Sequence, residues 1–171
     1  MDNILNEYHR KFPQSSKLFS EGKAVIAAGG HQSRVVRPFP ISIDKAQAGL
    51  KWDVDGNKLI DFVIGYGALI LGHGRKEIVN AVSKQIAEGT NMGTSTRQEL
   101  RWAQAVQRMM PSVERVRFTA SGTESTMLAI RIARAYTGKS KIVKFHENFH
   151  GWHDYVGLES GLITLSGIPE Q

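Results

Sequence analysis

From residue 75 to residue 145 the chain alternates between apolar residues at helical spacing and short runs of β-forming residues, and few folds accept that alternation. Ile78, Val79, Val82 and Ile86 recur on one helical face, and Gly89 supplies a stop. Thr96-Arg-Gln-Glu99 has capping-box spacing, in which a hydroxyl and a carboxylate satisfy amides that a helix start leaves bare. Leu100, Ala103, Val106 and Met110 then share a face until Pro111-Ser112. Val116-Arg-Phe-Thr119 predicts a short strand. Ser121-Gly-Thr-Glu124 opens a third helix through Met127, Ile130, Ala133 and Ala135 to Thr137-Gly138, and Ile142-Val-Lys-Phe145 predicts a further strand. Helix, strand, helix, strand in this order predicts an α/β domain built on parallel strands.

Ahead of this region the signals differ. Residues 1–22 read as a polar helix or arm, and residues 23–40 as irregular, broken by Gly29-Gly30, Pro38 and Pro40. Leu50 to Phe62 predicts a β-hairpin, with Asp55-Gly56 supplying the positive φ angles of a tight turn. The expected division is therefore an arm and hairpin over 1–70 and the opening part of the α/β domain over 71–171. The stretch 151–171 is Gly-rich and ends at Pro169-Glu-Gln171 with no element to close on, as in a domain cut in mid-construction.

Composition removes several classes of function. The chain has no cysteine, which excludes disulfides, thiolate nucleophiles and Cys-based zinc sites. Its 22 Lys and Arg against 16 Asp and Glu give a net charge of +6, but the positive residues are scattered. No basic block interleaved with aromatics marks a nucleic-acid surface, so an affinity for anionic ligands is the modest expectation. The N-terminus lacks the apolar centre of a signal peptide, and the longest apolar stretch, Phe62 to Leu71, falls far short of the roughly 20 residues a spanning helix needs. A cytoplasmic protein without a membrane segment is expected.

Two motifs carry chemistry. A strand running into Ser121-Gly122-Thr123 at a helix start makes an anion site: the first amides have no intrahelical acceptor, and the helix dipole adds partial positive charge. Gly122 lets the backbone approach a phosphate, and Ser121 and Thr123 add hydroxyl donors. The residues alone leave a second reading open, in which Ser121 and Glu124 form a plain capping box that binds nothing. His146-Glu-Asn-Phe-His150 matches the H-E-x-x-H pattern of zinc proteases, with His153 as a third imidazole. That chemistry requires both histidines on one helical face, whereas this segment follows a predicted strand and meets Gly151 at once.

The run from Arg115 to Asp154, through Thr119-Ala-Ser-Gly-Thr-Glu124 and Phe145-His-Glu-Asn-Phe-His-Gly151, is similar to class III (fold type I) pyridoxal-phosphate aminotransferases. Within them it resembles the glutamate-1-semialdehyde aminomutase-like branch. Asp53-Val-Asp-Gly-Asn57, Leu71-Gly-His73 and Pro111-Ser-Val-Glu-Arg-Val-Arg-Phe118 match the same family in the same order, so the resemblance covers about residues 20–171. It implies that Ser121, Gly122 and Thr123 hold the phosphate of pyridoxal 5'-phosphate, that Phe149 stacks on its pyridine ring, and that His150 helps to fix that loop; by themselves the residues equally allow an ordinary core Phe149 after a strand and an exposed loop His150. On the substrate side it points to Arg37, whose guanidinium suits a carboxylate through paired hydrogen bonds. The chain is one residue longer between Gly30 and Arg37 than the family pattern, so Arg34 competes, and a solvated surface arginine is the plain alternative. Tyr66 stands where the family often has a pocket-lining Trp, and its flanking Gly65 and Gly67 suit a pocket wall or a tight packing site.

The resemblance further implies a small amino-acid or amino-aldehyde substrate, and homodimers with sites at the subunit interface. The lysine that forms the Schiff base and the carboxylate that holds the pyridine nitrogen come downstream in the family, in chains more than twice as long. Lys141 and Lys144 read as solvent-facing, and no catalytic residue is assigned. The chain alone is expected to be inactive. A truncated paralogue that pairs with a full-length enzyme is the non-catalytic alternative.

Overall fold

The computed structural model describes residues 2–30, 36–145 and 148–157; Arg34, His146, Glu147 and the stretch 158–171 lie outside them. The chain divides into two compact units between Met92 and Gly93.

In the first unit the expected N-terminal helix is two. Pro13 lacks the amide that would continue α1 (Asp2–Lys11), and its fixed φ suits it to open α2 (Pro13–Gly22). The small core here is aromatic. Tyr8 packs on Phe12 and Phe39 with ring centroids 4.8 and 5.0 Å apart, and its hydroxyl donates to the Phe39 carbonyl at 2.9 Å. Phe12 and Phe39 are buried.

The predicted hairpin is present as β2 (Leu50–Asp53) and β3 (Lys58–Ile60), antiparallel, with Trp52 opposite Lys58. A third strand, β1 (Ile43–Gln47), joins the other edge of β2, with an irregularity between Ile43 and Lys45. The turn differs from expectation. Gly56 has a φ of +85°, but Asp55 does not share the left-handed region, and the loop is wider than a two-residue turn. Asp53 organises it, accepting from the amides of Asp55 (3.0 Å) and Asn57 (2.7 Å) and from the Asn57 side chain (2.9 Å). Asp55 is thereby released to cap α2. Its carboxylate accepts from the amides of Gln14 (2.7 Å) and Ser15 (3.1 Å) and from the Ser15 hydroxyl (2.9 Å). Ser15, fully buried, accepts in turn from the amide of Ser42 at 3.1 Å. Burial pushes the Asp55 carboxyl up, but these donors outweigh it and hold it below its ordinary value. After β3 the chain returns through Leu71-Gly-His73, where Ala48 and His73 exchange both backbone hydrogen bonds. A Cβ on Gly72 would sit 3.0 Å from the Ala48 carbonyl oxygen, so this close approach requires glycine. Helix α3 (Lys76–Glu88) follows and stops at Gly89, as the spacing predicts.

In the second unit, α4 (Arg97–Met109) starts at Thr96, whose hydroxyl accepts from the Glu99 amide. Helix α5 (Gly122–Thr137) starts at Ser121 and ends at Gly138 in the left-handed conformation. Trp102 of α4 stacks on Phe118 with centroids 3.9 Å apart. The expected strands 116–119 and 142–145 are not formed as ladders among the described residues. A parallel strand gains its hydrogen bonds from neighbouring strands, and none is present for either segment among the described residues. Val143, which a parallel sheet would bury, stands fully exposed. The sheet that is formed is the antiparallel β1-β2-β3.

Candidate functional site

The N-terminus of α5 is built as a capping box and still has donors to spare. The Ser121 hydroxyl oxygen accepts from the Glu124 amide at 3.2 Å, and the Glu124 carboxylate reaches back to the Ala120 amide at 2.7 Å. Among the described residues the amides of Gly122 and Thr123 have no acceptor. Apart from its chain neighbours and the helix's own backbone, a Gly122 Cβ would meet no atom of the described residues within 4 Å. The two readings of this motif are therefore compatible: the box satisfies some amides and leaves two without an acceptor.

The loop after residue 147 crosses this helix end. A Cβ on Gly151 would lie 3.1 Å from both the Thr123 Cα and the Thr126 hydroxyl, so glycine is needed for the approach. The Trp152 amide donates to the Thr123 hydroxyl oxygen at 3.2 Å. That leaves the Thr123 proton, like the Ser121 proton, free to be donated elsewhere. Thr126 ties the loop down: its hydroxyl lies 2.8 Å from the His150 carbonyl oxygen and 3.1 Å from His153 Nε2. His150 Nε2 and His153 Nδ1 are buried without a partner among the described residues. Phe149 is half-exposed and meets Trp152 edge to face at 5.6 Å.

Ser121, Gly122, Thr123 and the 149–151 loop are thus brought together at the start of α5. Thr126 and His153 complete the arrangement. The sequence did not single out Thr126, although its spacing of four from Gly122 puts it one helical turn above the start of α5. Asn148 to His150 is not helical; the His146 and Glu147 of the H-E-x-x-H pattern lie outside the described residues. Among the described residues no group of three acidic or histidine side chains is placed to hold a metal. Lys144 is exposed and donates to the Gly157 carbonyl at 2.7 Å.

The substrate-side candidates belong to the first unit. Tyr66 is 74 % exposed and lies in a loop where Ile64, Gly65, Tyr66 and Gly67 all have positive φ. It lines an open cavity of about 630 Å³ with Val36, Pro40, Ile41, Ile43, Lys51, Val63 and Gly65. Arg37, next to Val36, is exposed, and its guanidinium has no partner among the described residues. At the foot of the Tyr66 loop is a cluster the sequence reading did not single out. Asp61, 2 % exposed at its side chain, pairs with His73 Nε2 at 2.7 Å and Lys51 Nζ at 3.0 Å. It also accepts from the amides of Val63 and Ile64, each at 3.0 Å. The His73 hydrogen bond acts first, with Lys51 and the two amides, and together they overcome burial to hold the Asp61 carboxyl well below the usual carboxylate range.

The family described as aminotransferase class-III matches residues 31–156. The chain belongs to the class-III aminotransferases. It is 45 % identical over 172 residues to the glutamate-1-semialdehyde 2,1-aminomutase of Methanopyrus kandleri, covering 95 % of this chain and 40 % of that protein. To the enzyme of the same description from Nitrosopumilus maritimus it is 48 % identical, covering 86 % and 35 %. Among solved structures it is similar to a β-phenylalanine aminotransferase from Variovorax paradoxus, with a TM-score of 0.84, 30 % identity and coverage of 88 % and 35 %. A transaminase with PLP bound gives a TM-score of 0.81 at 35 % identity, covering 85 % of this chain and 35 % of that one. The chain thus spans about 40 % or less of the length of these relatives. The fold is that of the fold type I α/β transferases, of which the described residues form the helices and a small sheet.

Proposed function

We propose that this chain serves pyridoxal-phosphate-dependent amino-group transfer, as an aminotransferase or an aminomutase, and supplies the phosphate-holding and ring-stacking part of the site. The observation that carries this reading is the pair of unmatched amides at Gly122 and Thr123, beside the open space where a Gly122 Cβ would stand. Those amides and the hydroxyl protons of Ser121 and Thr123 would receive the phosphate, with the helix dipole adding to the attraction. Phe149 would cover one face of the ring, and His150 and Thr126 would hold the loop that carries it. When bound, the cofactor supplies an electron sink for proton removal beside a substrate nitrogen. Arg37 would take a substrate carboxylate and Tyr66 would wall the substrate pocket of a small amino acid or amino aldehyde. No lysine of this chain is assigned the proton-transfer role.

The same reading takes residues 71–171 as the start of the cofactor domain, and the whole protein as a cytoplasmic homodimer. Two facts bear on the latter. No helix among the described residues is long and apolar enough to cross a membrane, and apolar residues of α3, α4 and α5 are left exposed.

Gly122→Ala tests the proposal. Gly122 is the first helical residue and its φ is not positive, so alanine costs the helix nothing. The added methyl enters only the space assigned to the phosphate. Pyridoxal phosphate titrated into the chain should move the Gly122 and Thr123 amide resonances, and the variant should bind about tenfold or more weakly, roughly 1.4 kcal/mol. A variant that keeps its helicity and binds like the parent overturns the reading.

A further inference from the structure

We propose that Asp61 is a positioning residue, which with His73 as its donor holds the left-handed Tyr66 loop in the shape that walls the cavity above Lys51. The argument begins with the backbone. Ile64 and Tyr66 have φ of +40° and +57°, a region that side chains with a Cβ rarely adopt and a β-branched residue least of all. Such a turn persists only where its surroundings over-determine it. Within the loop, Gly67 and Leu69 donate to the carbonyls of Val63 and Ile64 at 3.1 and 3.0 Å, which closes the turn on itself without fixing it to the sheet.

The fixing comes from one carboxylate. Asp61 Oδ1 takes the amides of Val63 and Ile64, so it meets the chain at the residue where φ first turns positive. Asp61 Oδ2 takes Lys51 from β2 and His73 from the far end of the loop. His73 is itself fixed through the paired backbone bonds with Ala48. Both ends of the segment 62–72 are therefore tied to one buried oxygen pair. Lys51 and His73 are the charged or titratable side chains against Asp61 among the described residues. The hydrogen bond needs only the Nε2 proton of His73, which one neutral tautomer and the cation both carry. The importance of the loop rests on the reading of Tyr66 as substrate-facing; its fixation by Asp61 does not.

The test is made on the intact chain without cofactor, so failure of the phosphate reading leaves it untouched. The chain contains four tyrosines, and 3-fluorotyrosine labelling gives each a resonance, that of Tyr66 assigned by Tyr66→Phe. The Tyr66 signal should lie away from the random-coil position. Asp61→Ala and His73→Leu should collapse it to that position while the Tyr8 signal, which reports the aromatic core, stays. His73→Gln, which restores a donor at nearly the same place, should keep it. In the unsubstituted chain the signal should hold from pH 7 to pH 5 and collapse only below the ordinary carboxylate range, because Asp61 stays ionised to lower pH. A Tyr66 signal unchanged in His73→Leu overturns the proposal. So does a collapse that Tyr8 shares in both Ala and Leu variants, or one that the unsubstituted chain shows between pH 7 and pH 5.

Discussion

Gly122 and Gly151 lie on either side of one helix end and are needed for different reasons. A Cβ at Gly122 would meet no neighbouring element among the described residues, so under the proposed function that glycine matters only to the phosphate. Gly151 has a φ of +123°, and its Cβ would press on Thr123 and Thr126 from 3.1 Å. Neither atom can retreat easily: one is helix backbone, and the other is hydrogen-bonded to the His150 carbonyl. Gly151→Ala should therefore cost stability whether or not a cofactor is present, by about 1–3 kcal/mol, the usual range for a side chain forced into such a backbone state. Urea unfolding followed by tryptophan fluorescence would measure it. A cost below about 0.5 kcal/mol, typical of surface changes, would mean that the loop does not sit on α5 as described. Gly122→Ala in the same experiment should leave stability unchanged or slightly raised.

Among the elements, α2 is capped from a distance. Phe12 precedes Pro13 and offers no side-chain cap, and Asp55 supplies the acceptor from 40 residues along the chain. Asp55→Ala should therefore lower the stability of the first unit by about 1–2 kcal/mol, as loss of a helix cap does, while Asp55→Asn should retain part of it. Because this carboxyl is held below its ordinary value, its contribution is present above about pH 4, the unfolded value of an aspartate, and is lost as the pH falls through the lower folded value. A pH series of melting temperatures on the parent and Asp55→Ala should converge at acid pH; parallel curves would contradict the cap. That cap also shows where the sequence was hard to read. Asp55-Gly56 reads as turn chemistry, and nothing local announces that its carboxylate leaves the turn for another element. Helices α3, α4 and α5 were legible because their starts and stops are local: Thr96 with Glu99, Ser121 with Glu124, Gly89 and Gly138. β1 was missed, since Ile43-Asp-Lys-Ala-Gln47 has one large apolar residue and gains its identity from pairing with β2. Residues 116–119 and 142–145 have strand composition, yet a ladder is made by neighbours, which composition does not provide. The capped start of α5 was legible because a helix N-terminus is local, and the Asp61 cluster was not, because Lys51, Asp61 and His73 meet only once the sheet is folded.

For the molecule as a whole the decisive quantity is how little apolar surface is covered. Among the described residues, buried hydrophobic side chains are limited to Phe12, Phe39 and Val156. Helices α3, α4 and α5 bury no residue, although each has an apolar face, and Phe62, Tyr136 and Val143 stand almost wholly open. Apolar burial contributes about 25 cal/mol per Å² removed from water and is the main term set against chain entropy. A chain of this length with so small a core retains little of it. The 171-residue chain by itself should therefore bind a hydrophobic dye such as ANS strongly, melt over a broad range, and sediment as associated species at micromolar concentration. Monomeric behaviour with weak dye binding and a sharp two-state melt would show that these faces are covered in solution by the chain itself. The proposed phosphate binding at α5 needs only the local cap and the 149–151 loop, so it should survive even where the wider unit is loosely packed. The two measurements together separate a site built by one helix end from a fold that depends on everything packed around it.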